Sequence, residues 1–150
     1  MSLETEVMSL MKDAMKNKDE AMLRGLRAIK AEIIKAKTDP GANGEISADT
    51  ELKLLQKLVK QRKDSLAIYE QQSRPDLAVK ESEEIAIIEK FLPAQMSEED
   101  VKAAVQAIIT ELGASGPQDL GKVMGLATKQ LAGQADGKII SAIAKTLLTA

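Results

Sequence analysis

The sequence predicts an all-α protein, and three observations support this. Alanine, leucine, lysine, glutamate, methionine and isoleucine dominate the 150 residues, and these residue types favour helices. Apolar residues recur at spacings of three and four, and no segment alternates apolar and polar residues as a half-buried strand would. Serine or aspartate precedes several of the apolar segments, where a helix N-cap is expected. We expect an N-terminal lobe with long helices and a C-terminal lobe of three short helices.

Four helices are predicted in the N-terminal lobe. The first runs from about Leu3 to Asn17, and Asp19 caps the second. Glycine, proline and asparagine in residues 38–45 predict a loop. The third is a long helix that Ser47 caps and that reaches about Gln72. Pro75 suits the first turn of the fourth, which ends at Leu92-Pro93.

Methionine is frequent near the start of the chain, where four of these residues follow helical spacing. A flexible apolar side chain at such spacing usually fills a core, although methionines can also line a groove for a partner. We expect these four in the core: Met8, Met11, Met15 and Met22.

A boundary between two domains is predicted at the short segment 93–96, which begins with proline. The domains are then residues 1–93 and 97–150. In the second domain, Ser97 and the acidic residues after it start a helix that Gly113 ends. The remaining two helices are expected over about 118–131 and 137–148.

Composition excludes several classes of function. The chain has no Cys and no His, so it lacks the usual nucleophile, general base and zinc ligands, and no dinucleotide or phosphate-loop motif is present. We therefore expect no catalytic residues, no metal and no cofactor.

Neither a signal peptide nor a run of about 18 apolar residues is present, so we expect a cytoplasmic protein that does not enter the membrane.

Arg62 interrupts the apolar seam of the long predicted helix and needs a carboxylate partner. Glu81 and Glu84 are three residues apart in the next helix and share one face. We expect a structural ion pair between Arg62 and one of these glutamates, and we favour this over acid–base catalysis.

The same long helix carries a run of basic residues, among them Lys57, Lys60 and Lys63. These lysines are candidates for holding RNA phosphates. The alternative, which we favour, is a solvated face that opposes acidic residues on neighbouring helices.

The predicted C-terminal lobe combines glycines within a helix with lysines close by. Gly121 and Gly125 share one face of a predicted helix, and each costs about 1 kcal/mol relative to alanine. We expect them to permit close approach of another helix or of a ligand. The basic residues nearby favour RNA phosphate as that ligand, and the full set of candidates is Gly121, Lys122, Gly125, Lys129, Gly133 and Lys138.

The sequence resembles the GatB/YqeY family over nearly its whole length. Its marks lie in both predicted lobes: Leu26-Arg27, residues 60–65, Tyr69, Arg74, Leu77, Glu81, Glu84, Leu92-Pro93, residues 119–125, Gly133, residues 135–137 and Leu147. The resemblance implies two helical lobes, the second similar to the tail domain of the B subunit of tRNA-dependent amidotransferase. That enzyme amidates misacylated tRNA, and its tail contacts the tRNA away from the chemistry.

The function that this resemblance implies is a non-catalytic accessory module that interacts with tRNA. The alternative is a protein-interaction module that docks on a translation enzyme, which a large exposed apolar patch would favour. The least favoured reading is a carbon–nitrogen ligase that uses glutamine as amide donor, because the chain lacks the residues for that chemistry. The chain departs from the amidotransferase tail at Gln134, where that domain often has lysine.

Overall fold

A computed structural model of the chain describes residues 2–150. Over this range it contains seven α-helices, one short 3-10 turn and no strand, so the predicted all-α class is confirmed. The helices are α1 Leu3–Lys16, α2 Glu20–Thr38, α3 Ala48–Gln71, α4 Pro75–Glu89, α5 Glu98–Leu112, α6 Leu120–Gln130 and α7 Gly137–Thr149. The 3-10 turn, Pro117–Asp119, leads directly into α6.

Several helices begin where a side chain accepts a hydrogen bond from a first-turn backbone N–H that has no partner within the helix. Asp19, Ser47 and Ser97 each accept a hydrogen bond from the backbone N–H three residues later, at 3.0 to 3.1 Å. Asp136 caps α7 through the backbone N–H of Lys138 at 3.0 Å. Such caps are worth about 1 kcal/mol each, which is why local sequence locates the helices well.

The chain divides into two compact units, one ending at Leu92 and the other starting at Pro93. Segment 93–96 belongs to the second unit, where it is fixed by hydrogen bonds. The Gln95 side chain donates to the Gly133 carbonyl at 2.7 Å, and the Met96 N–H donates to the Gln134 carbonyl at 3.0 Å.

The first unit packs α1 to α4 around one apolar core. Fully buried side chains from every helix contribute: Val7, Leu26, Ile29, Ile33, Leu55 and Ile88. Met11 and Met22 pack against this core, as expected. The same expectation is wrong for Met8 and Met15, which are 44% and 54% exposed, because the buried stripe of α1 runs through other residues.

A glycine permits a close contact between α2 and α4 in the first unit. A Cβ built on Gly25 of α2 would lie 2.7 Å from Cγ2 and 3.0 Å from Cβ of Ile87 in α4. Separations below 3.0 Å are not tolerated without movement, so the side chain of Ile87 occupies the space that any larger residue would need. Gly25 was not predicted as a packing residue, although a glycine within an apolar helix was the signal available in the sequence.

The second unit packs α5, α6 and α7 around a separate apolar core. Its most buried side chains are Val101, Val105, Ile108, Val123, Ala127, Ile140 and Ala144. Gly113 ends α5 in the left-handed conformation, with φ of 65°, which glycine adopts without strain. The three predicted C-terminal helices are thus present.

Candidate nucleic-acid interface

One side of α6 faces the core of the second unit and the other faces solvent. Val123 and Ala127 are fully buried, and residues on the opposite side of the helix are exposed. Four of the predicted site residues share that opposite side: Gly121, Lys122, Gly125 and Lys129. We call this set the α6 face.

Of the two alternatives left open for the glycines of α6, close approach of a neighbouring helix is wrong. A Cβ built on Gly121 or Gly125 would have no atom within 4 Å beyond its chain neighbours and the adjacent backbone of α6 itself. Both residues lie on the exposed side of α6, since Val123 and Ala127 fill the side that contacts the core. The described part of the chain therefore contains nothing that uses the space these glycines leave open.

The lysines near this face are exposed and unpaired. Within residues 2–150, Lys122, Lys129 and Lys138 form no ion pair. Lys122 and Lys129 are seven residues apart, so they lie on one side of α6 about 10 Å apart along its axis. Lys138 is exposed in the first turn of α7, where its backbone N–H is held by Asp136.

Gly133 differs from the other predicted candidates because it is buried. It sits between α6 and α7 with φ of 76°, and its carbonyl accepts the bond from Gln95. The next residue, Gln134, is half-buried, and its carbonyl accepts the N–H of Met96. Both residues fix the connection between helices, and Gly133 offers little surface to an RNA.

The lysines predicted on α3 have protein partners. Lys57 Nζ lies 3.7 Å from a Glu32 carboxylate oxygen on α2, and Lys63 Nζ lies 3.4 Å from one of Glu89 on α4. Lys60 also has a partner within the chain. For Lys57 and Lys63 this arrangement is the solvated, acid-opposed face that the sequence favoured.

Arg62 lies against one of the two carboxylates expected to face it. Its Nε donates to Glu84 Oε2 at 3.0 Å, and its Nη1 donates to the Leu58 carbonyl at 3.2 Å. The Arg62 and Glu84 side chains are only 18% and 16% exposed, so water screens this pair weakly.

Two further residues complete this cluster. Arg24 of α2, which was not predicted from the sequence, donates to Glu83 at 2.6 Å and lies 3.7 Å from Glu84. The pKa of Glu81 is raised by burial and by the nearby charge of Glu84, and Arg62 opposes this rise only in part. The cluster joins α2, α3 and α4 and has the geometry of a structural ion-pair network.

Residues 2–150 contain no group of three or more acidic side chains placed to hold a metal ion. No helix within this range is both long and apolar enough to cross a membrane.

Comparison with known proteins places these features in a family. The sequence model of a family described as "Yqey-like protein" matches residues 4–148. The chain is similar to the "Altered inheritance of mitochondria protein 41, mitochondrial" of Clavispora lusitaniae, with 35% identity over 107 residues. It is also similar to the protein of the same name from Kluyveromyces lactis, with 38% identity over 86 residues. The matched stretches cover 70% and 56% of this chain but only 61% and 43% of those relatives.

Proposed function

The chain belongs to the Yqey-like protein family, and on that premise we propose that it is a non-catalytic accessory module whose second unit binds folded tRNA through the α6 face. The observation that carries the proposal is the pair of exposed glycines beside two unpaired lysines. Gly125 lies in the interior of α6, where glycine costs about 1 kcal/mol relative to alanine, while Gly121 lies in the first turn, where the cost is smaller; no contact within the described chain offsets either cost. An external partner that approaches the helix closely would offset both.

Phosphate is the ligand chemistry that suits this surface. Where side chains are absent at Gly121 and Gly125, a sugar-phosphate backbone reaches van der Waals contact with the helix. Lys122 and Lys129 then place ammonium groups beside it. Neither lysine has a carboxylate partner among residues 2–150, so both charges are free to neutralise phosphates.

The same surface favours structured RNA over unpaired bases. The chain has one Tyr and one Phe, Tyr69 and Phe91, and both lie in the first unit. Without an aromatic platform the second unit has no means to stack splayed bases, so contact depends on phosphate positions and shape. The unit has five lysines, no arginine and six acidic residues, so the attraction is local and is weakened by salt.

Charge reversal on the α6 face tests the proposal. We expect Lys122→Glu with Lys129→Glu to weaken binding of folded tRNA about tenfold or more, because two attractive contacts become repulsive. The slope of log affinity against log salt should become shallower by about 2 units. Fluorescence anisotropy at several salt concentrations measures both quantities.

The matched control is Lys12→Glu with Lys80→Glu. Both lysines are exposed and unpaired among the described residues of the first unit, so the pair changes net charge equally. The proposal requires near wild-type affinity in the control. Equal losses in both double variants would assign binding to net charge alone, and absence of tRNA binding by the wild type near physiological salt would refute the proposal.

Two readings from the sequence remain predictions. Catalysis of amide transfer by this chain alone stays the least favoured hypothesis. Glutaminase activity of the purified chain would support it. The cytoplasmic location also stays a prediction, and the two relatives are named as mitochondrial proteins. Fractionation of the source cell, with an antibody to this chain, decides the compartment.

A further inference from the structure

The loop between α2 and α3 contains a tight turn that one hydrogen bond closes. The Glu45 backbone N–H donates to the Ala42 carbonyl at 3.0 Å. The two residues between them have positive φ, 54° at Asn43 and 80° at Gly44, as in a type I′ turn. Both are exposed, and a Cβ built on Gly44 would have nothing within 4 Å beyond its two chain neighbours. Nothing therefore packs against this glycine.

Two groups of this turn can react with each other, and both lack a hydrogen bond. Within residues 2–150 the Asn43 side-chain amide and the Gly44 backbone N–H have no hydrogen-bond partner. The two groups are adjacent in the chain, so a five-membered ring closes when the Gly44 nitrogen reaches Asn43 Cγ. Because Gly44 has no Cβ, its nitrogen is unshielded and its backbone rotates with few restrictions.

We propose that Asn43 is a site of spontaneous deamidation, with the Gly44 nitrogen as the nucleophile and water as the co-reactant. Hydroxide removes the proton of the Gly44 amide, and the nitrogen attacks Asn43 Cγ. The Cγ–Nδ2 bond breaks, and the departing nitrogen takes up a proton from water and leaves as ammonia. The product is a cyclic imide that joins Asn43 and Gly44.

Water then opens the imide at either of its two carbonyl groups. Attack at Cγ breaks the bond between Cγ and the Gly44 nitrogen and turns Asn43 into aspartate. Attack at the backbone carbonyl carbon breaks the original peptide bond instead, and the chain then runs through Cγ as isoaspartate. Each route consumes one water and releases one ammonia. Both products carry a new carboxylate, and isoaspartate adds a methylene group to the main chain.

The fold opposes this reaction only weakly. The ring closes only after the backbone of Asn43 rotates, and that rotation breaks the hydrogen bond between Glu45 and Ala42. A single exposed backbone hydrogen bond contributes little to stability, and exposed loops open without unfolding the rest of a protein. Since α2 ends at Thr38 and α3 begins at Ala48, neither helix has to move.

Asn17, the second asparagine of the chain, provides an internal comparison. It is also exposed, at the C-terminal end of α1. The residue after it is Lys18, whose backbone N–H donates to the Met15 carbonyl at 3.3 Å. The corresponding nitrogen is thus hydrogen-bonded and lies beside a long side chain. We therefore expect Asn17 to react slowly although it is exposed.

Deamidation changes the charge of a loop that is already acidic. Asp39 and Glu45 lie in this loop, and the reaction at Asn43 adds a third carboxylate. The converted fraction increases with the age of the chain, so old and new molecules differ in charge and in backbone at this place. The inference concerns the first unit and does not depend on RNA binding by the second.

Timed incubation of the purified full chain at pH 8 tests the inference. Cleavage after arginine leaves Asn17 in residues 1–24 and Asn43 in residues 28–62, so mass spectrometry follows both in one sample. We expect Asn43 to be converted at least about tenfold faster than Asn17, because its nucleophile is free and unshielded. The rate should rise about tenfold from pH 7 to pH 8, as the deprotonated fraction of a very weak acid does.

Two glycine variants separate the nucleophile from general effects on the loop. Gly44→Ala places a methyl group beside the nitrogen and should slow the conversion of Asn43 about fivefold or more. Gly41→Ala is the matched control, because Gly41 lies in the same loop, has φ of 94° and is also surrounded by open space. The control should keep the rate within about twofold of wild type, because Gly41 supplies no nucleophile.

A synthetic peptide of residues 38–53 gives the rate of the same reaction without the fold. The folded chain should react within about tenfold of this peptide, because a single hydrogen bond restrains the turn. Asn43→Gln in the full chain should abolish the conversion over the same period, since its ring would need six members.

Three outcomes would overturn the inference. One is conversion of Asn43 below the expected margin over Asn17. Another is equal slowing by Gly44→Ala and Gly41→Ala, which would assign the effect to the shape of the loop. The third is a folded chain that reacts more slowly than the expected range below the peptide, which would show that the turn protects Asn43.

Discussion

Gly25 in α2 and Gly125 in α6 occupy helix interiors, and Gly121 lies in the first turn of α6, yet the surroundings of the α6 glycines are opposite to those of Gly25. A Cβ on Gly25 would collide with Ile87, whereas a Cβ on Gly121 or Gly125 would meet nothing within 4 Å beyond its chain neighbours and the adjacent backbone of α6. In the first unit the cost of the glycine is offset by close packing of two helices. In the second unit nothing within the described chain offsets it, so the same residue type has a structural role in one unit and a candidate binding role in the other.

The charged residues of the two units differ in the same way. In the first unit Arg24, Arg62 and Lys63 pair with carboxylates on another helix. In the second unit Lys122 and Lys129 lack any such pair among the described residues. Both units carry one more acidic than basic residue. The arrangement of charges, and not the net charge, therefore distinguishes them.

The largest effect is expected from Gly25→Val, which places a branched side chain where Ile87 lies. Overpacking of this kind costs about 1–3 kcal/mol, and the small gain in helix propensity does not offset it. Urea unfolding followed by Tyr69 fluorescence measures the effect, because the only tyrosine lies in the first unit. Adding Ile87→Ala should recover part of the loss, and a stability equal to wild type in Gly25→Val would contradict the packing account.

Arg62→Met should destabilise the first unit by about 2 kcal/mol, because it leaves Glu84 half-buried with only the longer contact to Arg24. Methionine keeps most of the apolar part of the arginine side chain, so the loss of stability measures the contribution of the charge. Lys129→Met is the matched change in the second unit and should stay within about 0.5 kcal/mol of the wild type. Tyr69 fluorescence and circular dichroism in urea give the two values, and equal effects would remove the distinction between paired and unpaired cations.

Gly125→Ala should stabilise the second unit by up to about 1 kcal/mol, and Gly121→Ala, in the first turn of α6, should stabilise it by less; both effects are opposite in sign to substitution at Gly25. The reason is that alanine gains helix propensity where there is open space for its methyl group. Circular dichroism follows both units, and comparison with Tyr69 fluorescence separates the second. Destabilisation by either alanine would show that the glycines are needed inside the fold.

The smallest effect concerns Glu81, whose pKa is raised above its ordinary value of 4.5, chiefly by burial. A carboxyl with a raised folded-state pKa holds its proton more tightly when folded, so stability falls as pH rises through this range. Glu81→Gln should therefore stabilise the first unit at pH 7, by less than about 1 kcal/mol, and the difference should vanish below about pH 4. Urea unfolding across this pH range tests the sign, with the exposed Glu70→Gln as control.

Local features of the fold were predictable because they depend on neighbouring residues. Asp19, Ser47 and Ser97 cap helices whose apolar spacing already indicated their positions. Contacts between distant residues were not predictable in this way. Gly25 and Ile87 are 62 positions apart in the sequence. Only the packed structure shows that the side chain of Ile87 fills the space beside Gly25.

The candidate site could likewise be predicted from the sequence only in part. Sequence placed Gly121, Lys122, Gly125 and Lys129 on one helix, but it did not tell whether their shared side faces the core or solvent. That depends on which residues of α6 the rest of the unit covers, and Val123 and Ala127 are the ones covered. For the lysines of α3 the sequence already favoured a face opposed by acidic residues of neighbouring helices, but only the fold shows which residues these are: Glu32 of α2 and Glu89 of α4.

The affinity of Gly125→Leu for folded tRNA tests the central claim most directly. Both lysines of the α6 face stay in place, and leucine favours the helix, so only the close approach is blocked. We predict affinity about fivefold or more below wild type, with an unchanged dependence on salt. Wild-type affinity in this variant would contradict the claim that the exposed glycines of α6 serve an RNA partner.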